Sequence, residues 1–374
     1  MAKGKLLSQV LLRFESNPAA REELSAVVQT PDGYLWIGSD ELLTIDRLSP
    51  TTLNELSEDA YGEHQQYAVG DYVDLPDSQS EIDIEGLDFE AGYLWLVGSH
   101  STRRKGVKGK NAQKNIQRLL DIETDANRYV LARLPLVDGV PVKQDKATGR
   151  TAACLQQSSG KSAGKNVGAN ELIDVLMTDE HMGPFLKMGL PSKDNGFDIE
   201  AIAAKGNRLL LGLRGPVLRG IAIILEIEVK ATKIGTLKLK KLANGKRYRK
   251  HFVDLNGLGV RDLCFQGEDL LILAGPTMCM NGQSQLFKLK APLSYQQDTL
   301  FTQSSDALTL VFSLAQQTDE NAEGITLFAT REAGSNQEML HQENLMVVYD
   351  SPMKARLKGK ESIFSDVFQL STTG

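Results

Sequence analysis

Five carboxylates stand at recurring places in the chain: Asp83 and Glu85, Asp198 and Glu200, and Glu323. Oxygens from several segments could together hold a hard cation such as calcium or magnesium. Arginines lie close to them in the chain, at Arg103, Arg214, Arg219 and Arg261. Their forked donors suit a carboxylate or a phosphate. Ser99 offers a hydroxyl there. His100 follows it, and the ordinary pKa of imidazole near neutrality makes it the candidate general acid or base. Three arrangements fit these residue types. In one, a divalent cation held by the carboxylates activates water against a phosphate ester or related ester, with the arginines stabilising anionic charge. In another, nothing is catalysed and the arginines bind an anionic small molecule or protein segment. In the last, Glu85, Glu200 and Glu323 are hydrogen-bonding staples that tie neighbouring structural units together.

These positions recur because the chain repeats. Asp83-Ile84-Glu85-Gly86-Leu87 precedes a hairpin running from Gly92 to His100. Asp198-Ile199-Glu200 precedes Gly206 to Gly212, Gly259-Val260-Arg261-Asp262 precedes Gly267 to Gly275, and Glu23-Leu24-Ser25 precedes Gly33 to Ser39. A weaker copy begins at Asn321-Ala322-Glu323. Ser25 to Glu85, Glu200 to Arg261 and Arg261 to Glu323 are each about 60 residues apart. Short strands at such a period predict an all-β protein, a radial β-propeller. Five blades in a single domain over 1–374 fit the spacing, with a mainly helical insertion at 138–195. Six blades, with 138–195 as a degenerate third, is the alternative.

The innermost strand of each blade starts beside the end of the second strand, because the two are antiparallel neighbours. One mouth of the central channel should therefore gather Asp83 and Glu85 with Ser99, His100 and Arg103. It should likewise gather Asp198 and Glu200 with Arg214 and Arg219, Ser25 with Ser39-Asp40, and Glu323 with Thr330-Arg331. In the second blade, Gln117–Ile122 and Arg128–Leu134 read as the third and fourth strands. Gly220–Val229 reads as a third strand that is apolar on both faces at its start. Leu6–Phe14 precedes any complete unit and should close the ring by joining the last blade near Ser362–Leu370. In 138–195, Leu172, Val175 and Leu176 have helical spacing, Asn170 is a plausible N-cap, and Pro184 ends or offsets the helix.

The remaining signals narrow the function classes. The formal net charge is −6 over 374 residues, which makes nucleic acid an unexpected partner. The basic loop Ser101–Asn115 lacks interleaved aromatics and reads first as a solvated loop, second as a phosphate contact. Cys154, Cys264 and Cys279 form no metal-ligating or disulfide pattern. The start reads as a strand rather than a signal peptide, and no run is long enough to span a bilayer, so a cytoplasmic protein without membrane contact is expected. Gly160-Lys161-Ser162 lacks the earlier glycine of a phosphate-binding loop, and Gly257-Leu258-Gly259 lacks the third glycine of a dinucleotide fingerprint. Trp36 and Trp95 sit mid-strand and read as core.

Several of these stretches together resemble a bacterial family of propellers classed as a domain of unknown function. They are Asp83 to Leu87, Gly98-Ser99-His100-Ser101, Pro191 to Glu200, Leu213 to Gly220, and Val260-Arg261-Asp262-Leu263. The resemblance covers most of the chain and implies no established reaction. More distantly, Asp83-Ile84-Glu85-Gly86 is similar to an element of the phytase-like esterase propellers, which implies a calcium- or other metal-assisted hydrolase.

Overall fold

In the computed structural model of the protein, residues 4–52, 59–158, 169–233, 235–278, 280, 282–314, 320–329 and 344–370 are described. Gly160-Lys161-Ser162, Cys279 and Thr330-Arg331 lie outside them. After β1 (Leu6–Arg13), the first antiparallel sheet is β2 (Ala26–Gln29), β3 (Leu35–Gly38), β4 (Thr44–Thr52) and β5 (Asp59–Ala68). The second begins with β6 (Ile84–Glu90) and β7 (Tyr93–Gly98). An excursion through β8 (Arg103–Arg104), α1 (Ala112–Arg118) and β9 (Ile122–Glu123) then leads to its third strand, β10 (Leu131–Val137). β11 (Val140–Pro141) precedes the fourth, β12 (Ala153–Leu155). Helices α2 (Glu171–Leu176) and α3 (Gly183–Met188) follow. The third sheet is β13 (Asp198–Lys205), β14 (Arg208–Gly215), β15 (Ile221–Lys233) and, after β16 (Gly235–Leu239), β17 (Tyr248–Asp254). The fourth is β18 (Gly259–Gln266), β19 (Asp269–Gly275), β20 (Gln285–Leu289) and, after β21 (Thr299–Phe301), β22 (Leu308–Ser313). The last is β23 (Asn321–Phe328), β24 (Asn344–Asp350) and, after β25 (Leu357–Lys358), β26 (Ser362–Gln369), with β1 as its fourth strand.

The innermost strands β2, β6, β13, β18 and β23 each contact the next, and β23 returns to β2. That closed ring of four-stranded antiparallel sheets is a β-propeller. Its closure is the one the N-terminal strand predicted: Val10 pairs with Ser365 and Leu12 with Ile363. Outer edges are covered too. β1 lies parallel to β5, β12 to β16, and β17 to β21, so strands of neighbouring sheets shield one another. Apolar residues fill the space between sheets because both faces are covered. Ile223, Leu225 and Ile227 pack on one face of β15, and Ala222 and Ile224 on the other. Trp36 and Trp95 are fully buried core residues, as expected.

Three local expectations need correction. Gln117–Ile122 is not a strand: Asn111 accepts a hydrogen bond from the Lys114 amide and starts α1 there. Arg128–Leu134 contributes the third strand rather than the fourth. The fourth is β12, inside the 138–195 stretch, so that stretch is not wholly an insertion. Its apolar run is only Ala152 to Leu155, too short to stand out. The Asn170 cap of α2 is present, its side chain accepting from the Leu172 and Ile173 amides. Pro184 opens α3 in its first turn, where a missing amide costs nothing. Leu172, Ile173 and Leu176 pack with Trp95, Leu131 and Ile199, which anchors the helices between the second and third sheets. No helix among the described residues is long and apolar enough to cross a membrane.

Candidate functional site

One backbone device places the central residues. In β6, β13, β18 and β23 the pairing register shifts at the same point, across Ile84/Gly86, Ile199/Ala201, Val260/Asp262 and Ala322/Gly324. The skipped residues are Glu85, Glu200, Arg261 and Glu323. Each is a bulge that turns its side chain into the channel. Ser25, just ahead of β2, takes the fifth place, its hydroxyl donating to the Ile84 carbonyl. Glycine beside the bulge lets neighbouring strands close in. A Cβ on Gly86 would stand 2.8 Å from the Ile202 nitrogen.

The cavity so formed has a volume of about 580 Å³. Nine carboxylates line it: Asp40, Glu41, Glu81, Asp83, Glu85, Asp198, Glu200, Glu323 and Asp350. Six cations accompany them: Arg103, Arg104, Arg128, Lys193, Arg214 and Arg261. The arginines at the waist are already paired. Arg261 bridges Glu200, at 2.9 Å, and Glu323; Arg214 pairs with Glu200 and stands 3.7 Å from Asp198. Arg128 holds Asp83 at 2.9 Å and Glu81 at 3.4 Å. Nearer the rim, Arg103 pairs with Glu81 and Glu123, and Arg104 with Asp194. Among the described lining residues, Asp40, Glu41, Glu85, Asp350 and Lys193 have no ion-pair partner within 4.0 Å.

The acidic side is therefore strongly perturbed. Burial, then the charges of Asp83 and Glu200, push the Glu85 carboxyl well above the usual range. Burial, with Asp83, Asp350 and Glu41 nearby, raises Asp40 to about 7. Burial raises Asp198 to about 8 against the pull of Arg214. Asp83 reaches only about 6, because Arg128 opposes its burial. The free channel thus stores protons at neutral pH.

Of the expected site residues, the channel gathers Asp83, Glu85, Asp198, Glu200, Glu323, Arg103, Arg214 and Arg261, and leaves out three. His100 is fully buried off the channel. Its Nδ1 contacts the Gly98 carbonyl at 2.7 Å, and its Nε2 the Asn170 side-chain nitrogen at 2.7 Å. Burial lowers its pKa to about 4, so a neutral ring braces the cap of α2 and is not placed for acid–base work. Ser99 is buried against Asp83 and Ser101. Arg219 sits exposed at the tip of the turn closed by the Leu218–Ile221 bridge, with φ 51°. The five carboxylates are mostly shared out to arginines, and no group of three or more His, Cys, Asp or Glu among the described residues is arranged to hold a metal ion. Sequence reasoning missed Arg128, Glu81 and Asp350 as channel residues. Arg128 and Glu81 lie outside the repeated motifs, and Asp350 ends a second strand whose sequence does not match the other hairpins, so no periodic signal marked them. Asp40, expected at the mouth, follows Gly38-Ser39 as His100 follows Gly98-Ser99.

Solved structures similar to the chain include two lyases and a synthase. Virginiamycin B lyase from Staphylococcus aureus superposes with a TM-score of 0.34 at 10% identity, over 96% of this chain and 99% of that one. A streptogramin B lyase gives 0.35 at 10% identity, over 96% and 98%. Hydrazine synthase from Kuenenia stuttgartiensis gives 0.34 at 9%, over 94% of this chain and 64% of that one. At such identities and scores none of them speaks to what this chain binds or does. No curated protein matches it. Residues 23–366 match the family described as protein of unknown function (DUF3616), and the chain belongs to that family.

Proposed function

We propose that the protein is a ligand-binding propeller whose channel receives a small polar molecule carrying an amine or guanidine. The carrying observation is the division of charge inside the cavity. The waist arginines are committed to Glu200, Glu323, Asp198 and Asp83, while Glu85 and Asp40 face the channel without an ion pair among the described residues. A positive group beside them would favour their ionised forms and supply the missing partner. The volume falls in the range of small-molecule sites. An anionic group on the same molecule suits the rim, where Lys193 is exposed and unpaired among the described residues. The expected anionic ligand is thereby kept at the rim and moved out of the waist. The metal-dependent hydrolase loses support because Glu200 and Glu323 both serve Arg261.

Calorimetry with agmatine, in two buffers of different ionisation enthalpy, tests this reading. Saturable binding with net proton release, weakened roughly tenfold in Glu85→Gln, is expected. Inorganic phosphate, titrated separately, should bind weakly. Tight phosphate binding with no response to agmatine would return the site to an anionic ligand and overturn the proposal.

A further inference from the structure

The excursion between β7 and β10 has a composition unlike the rest of the chain. From Arg103 to Glu123 it carries seven Lys or Arg and two Asp or Glu, net +5, in a chain of net −6. It is ordered without a core of its own, since α1 buries none of its residues. Polar bonds hold it instead. Lys108 N–H donates to the Asn115 side chain, Arg118 to the Gly106 carbonyl, and Arg104 to the Leu119 carbonyl. The cations at its base are neutralised, Arg103 and Lys105 by Glu123 and Asp121. Toward its tip, Lys108, Lys110 and Lys114 are exposed and have no ion pair among the described residues. The same tip exposes Leu120 at 69%, Val107 at 68% and Ile116 at 55%.

We propose that this excursion is a docking element for an anionic lipid surface. Three features favour a bilayer over a macromolecular partner. The exposed cations without ion pairs are lysines, point charges on flexible stems that suit a diffuse negative plane better than placed carboxylates. Large aliphatic side chains stand between them, as in elements that lie in the interface with apolar groups inserted and amines at headgroup level. Aromatic platforms for nucleic-acid bases are missing from the segment. Arg103, Arg104 and Gly106 also line the channel mouth, so docking would hold the mouth close to the surface. This is at odds with the expectation of no membrane contact drawn from the sequence.

Flotation of the full chain with vesicles of phosphatidylcholine, with and without phosphatidylglycerol, tests it. Binding only to the anionic vesicles, falling as salt rises, is expected. The triple charge reversal Lys108→Glu, Lys110→Glu, Lys114→Glu should weaken it roughly tenfold or more. The double variant Ile116→Ser, Leu120→Ser should do likewise. Neither should lower the melting temperature appreciably, because α1 buries nothing. An Ile116→Trp probe should shift its emission to the blue on anionic vesicles. Equal binding to both vesicle types, or binding unchanged in both variants, would overturn the proposal. So would capture on polyglutamate without capture on vesicles, which would assign the surface to an acidic protein.

Discussion

Around the channel, single residues act through their neighbours. Arg261 joins the bulge residues of three adjacent sheets, with Glu200 on one side and Glu323 on the other. All three are buried. Removing the arginine leaves two buried carboxylates short of a cation, although Arg214 still holds Glu200. Arg261→Ala should cost about 3–5 kcal/mol in urea unfolding. Adding Glu323→Gln should recover part of that loss, since it removes the carboxylate that has no other ion pair among the described residues. A loss below about 1 kcal/mol would show that the ring of pairs contributes little to stability. His100 makes a contrasting case. Its burial disfavours the charged ring. In a pH titration followed by imidazole NMR, its signals should stay those of a neutral ring down to about pH 5. Protonation near pH 6.5 would mean the ring sees solvent.

At the level of elements, ring closure by β1 should dominate stability. Leu12 is fully buried and pairs with Ile363 of β26. Leu12→Ala should cost about 2–5 kcal/mol, measured by thermal or urea unfolding. An effect near zero would mean the closing strand adds little. Elements that repeat were readable in the sequence, because Glu85, Glu200, Arg261 and Glu323 recur with the same apolar flanks. That they form bulges was not readable, since an extra residue in a strand leaves no mark in the apolar pattern. The second sheet was misread for a related reason. Within Gln117–Ile122, Leu119, Leu120 and Ile122 look like a buried strand, yet all three are exposed. Asn111 was the local cue for a helix, and its cap decided the outcome. β12 escaped notice because a three-residue strand on an outer edge needs little apolar sequence. The site was legible to the same extent: the expected residues on the repeated strands, Glu85, Asp198, Glu200, Arg214, Arg261 and Glu323, all reached the channel, whereas of those off them Asp83, Asp40 and Arg103 did and His100 and Arg219 did not.

Over the whole molecule, the perturbed carboxylates set the pH dependence of stability. Asp40, Asp88 and Asp198 are raised to about 7, 7 and 8, and Glu85 and Asp262 lie well above their ordinary values, in every case chiefly through burial. Between the unfolded and folded pKa values of such groups, the native state holds protons that the unfolded chain has released. Stability therefore falls as pH rises through that window. His100 works the other way. Its folded pKa is lowered, so the unfolded chain takes up the extra proton below about pH 6.5, and stability is lost as pH falls. Asp179, held down to about 2 with help from Lys250, contributes stability that is lost only in strong acid. From about pH 6.5 to 8 the raised carboxylates act alone. Mutual coupling among the channel groups reduces their sum to roughly 1–2 kcal/mol over that range. Melting temperatures should thus be highest near about pH 4–5, because above it several raised carboxylates outweigh the one histidine, and decline by a few degrees toward pH 8. The double variant Asp40→Asn, Glu85→Gln should flatten the decline, because neither replacement can release a proton. A melting temperature that climbs steadily to about pH 8 would show that these carboxylates are already ionised in the empty channel. The proton release expected on binding a cation would then vanish as well.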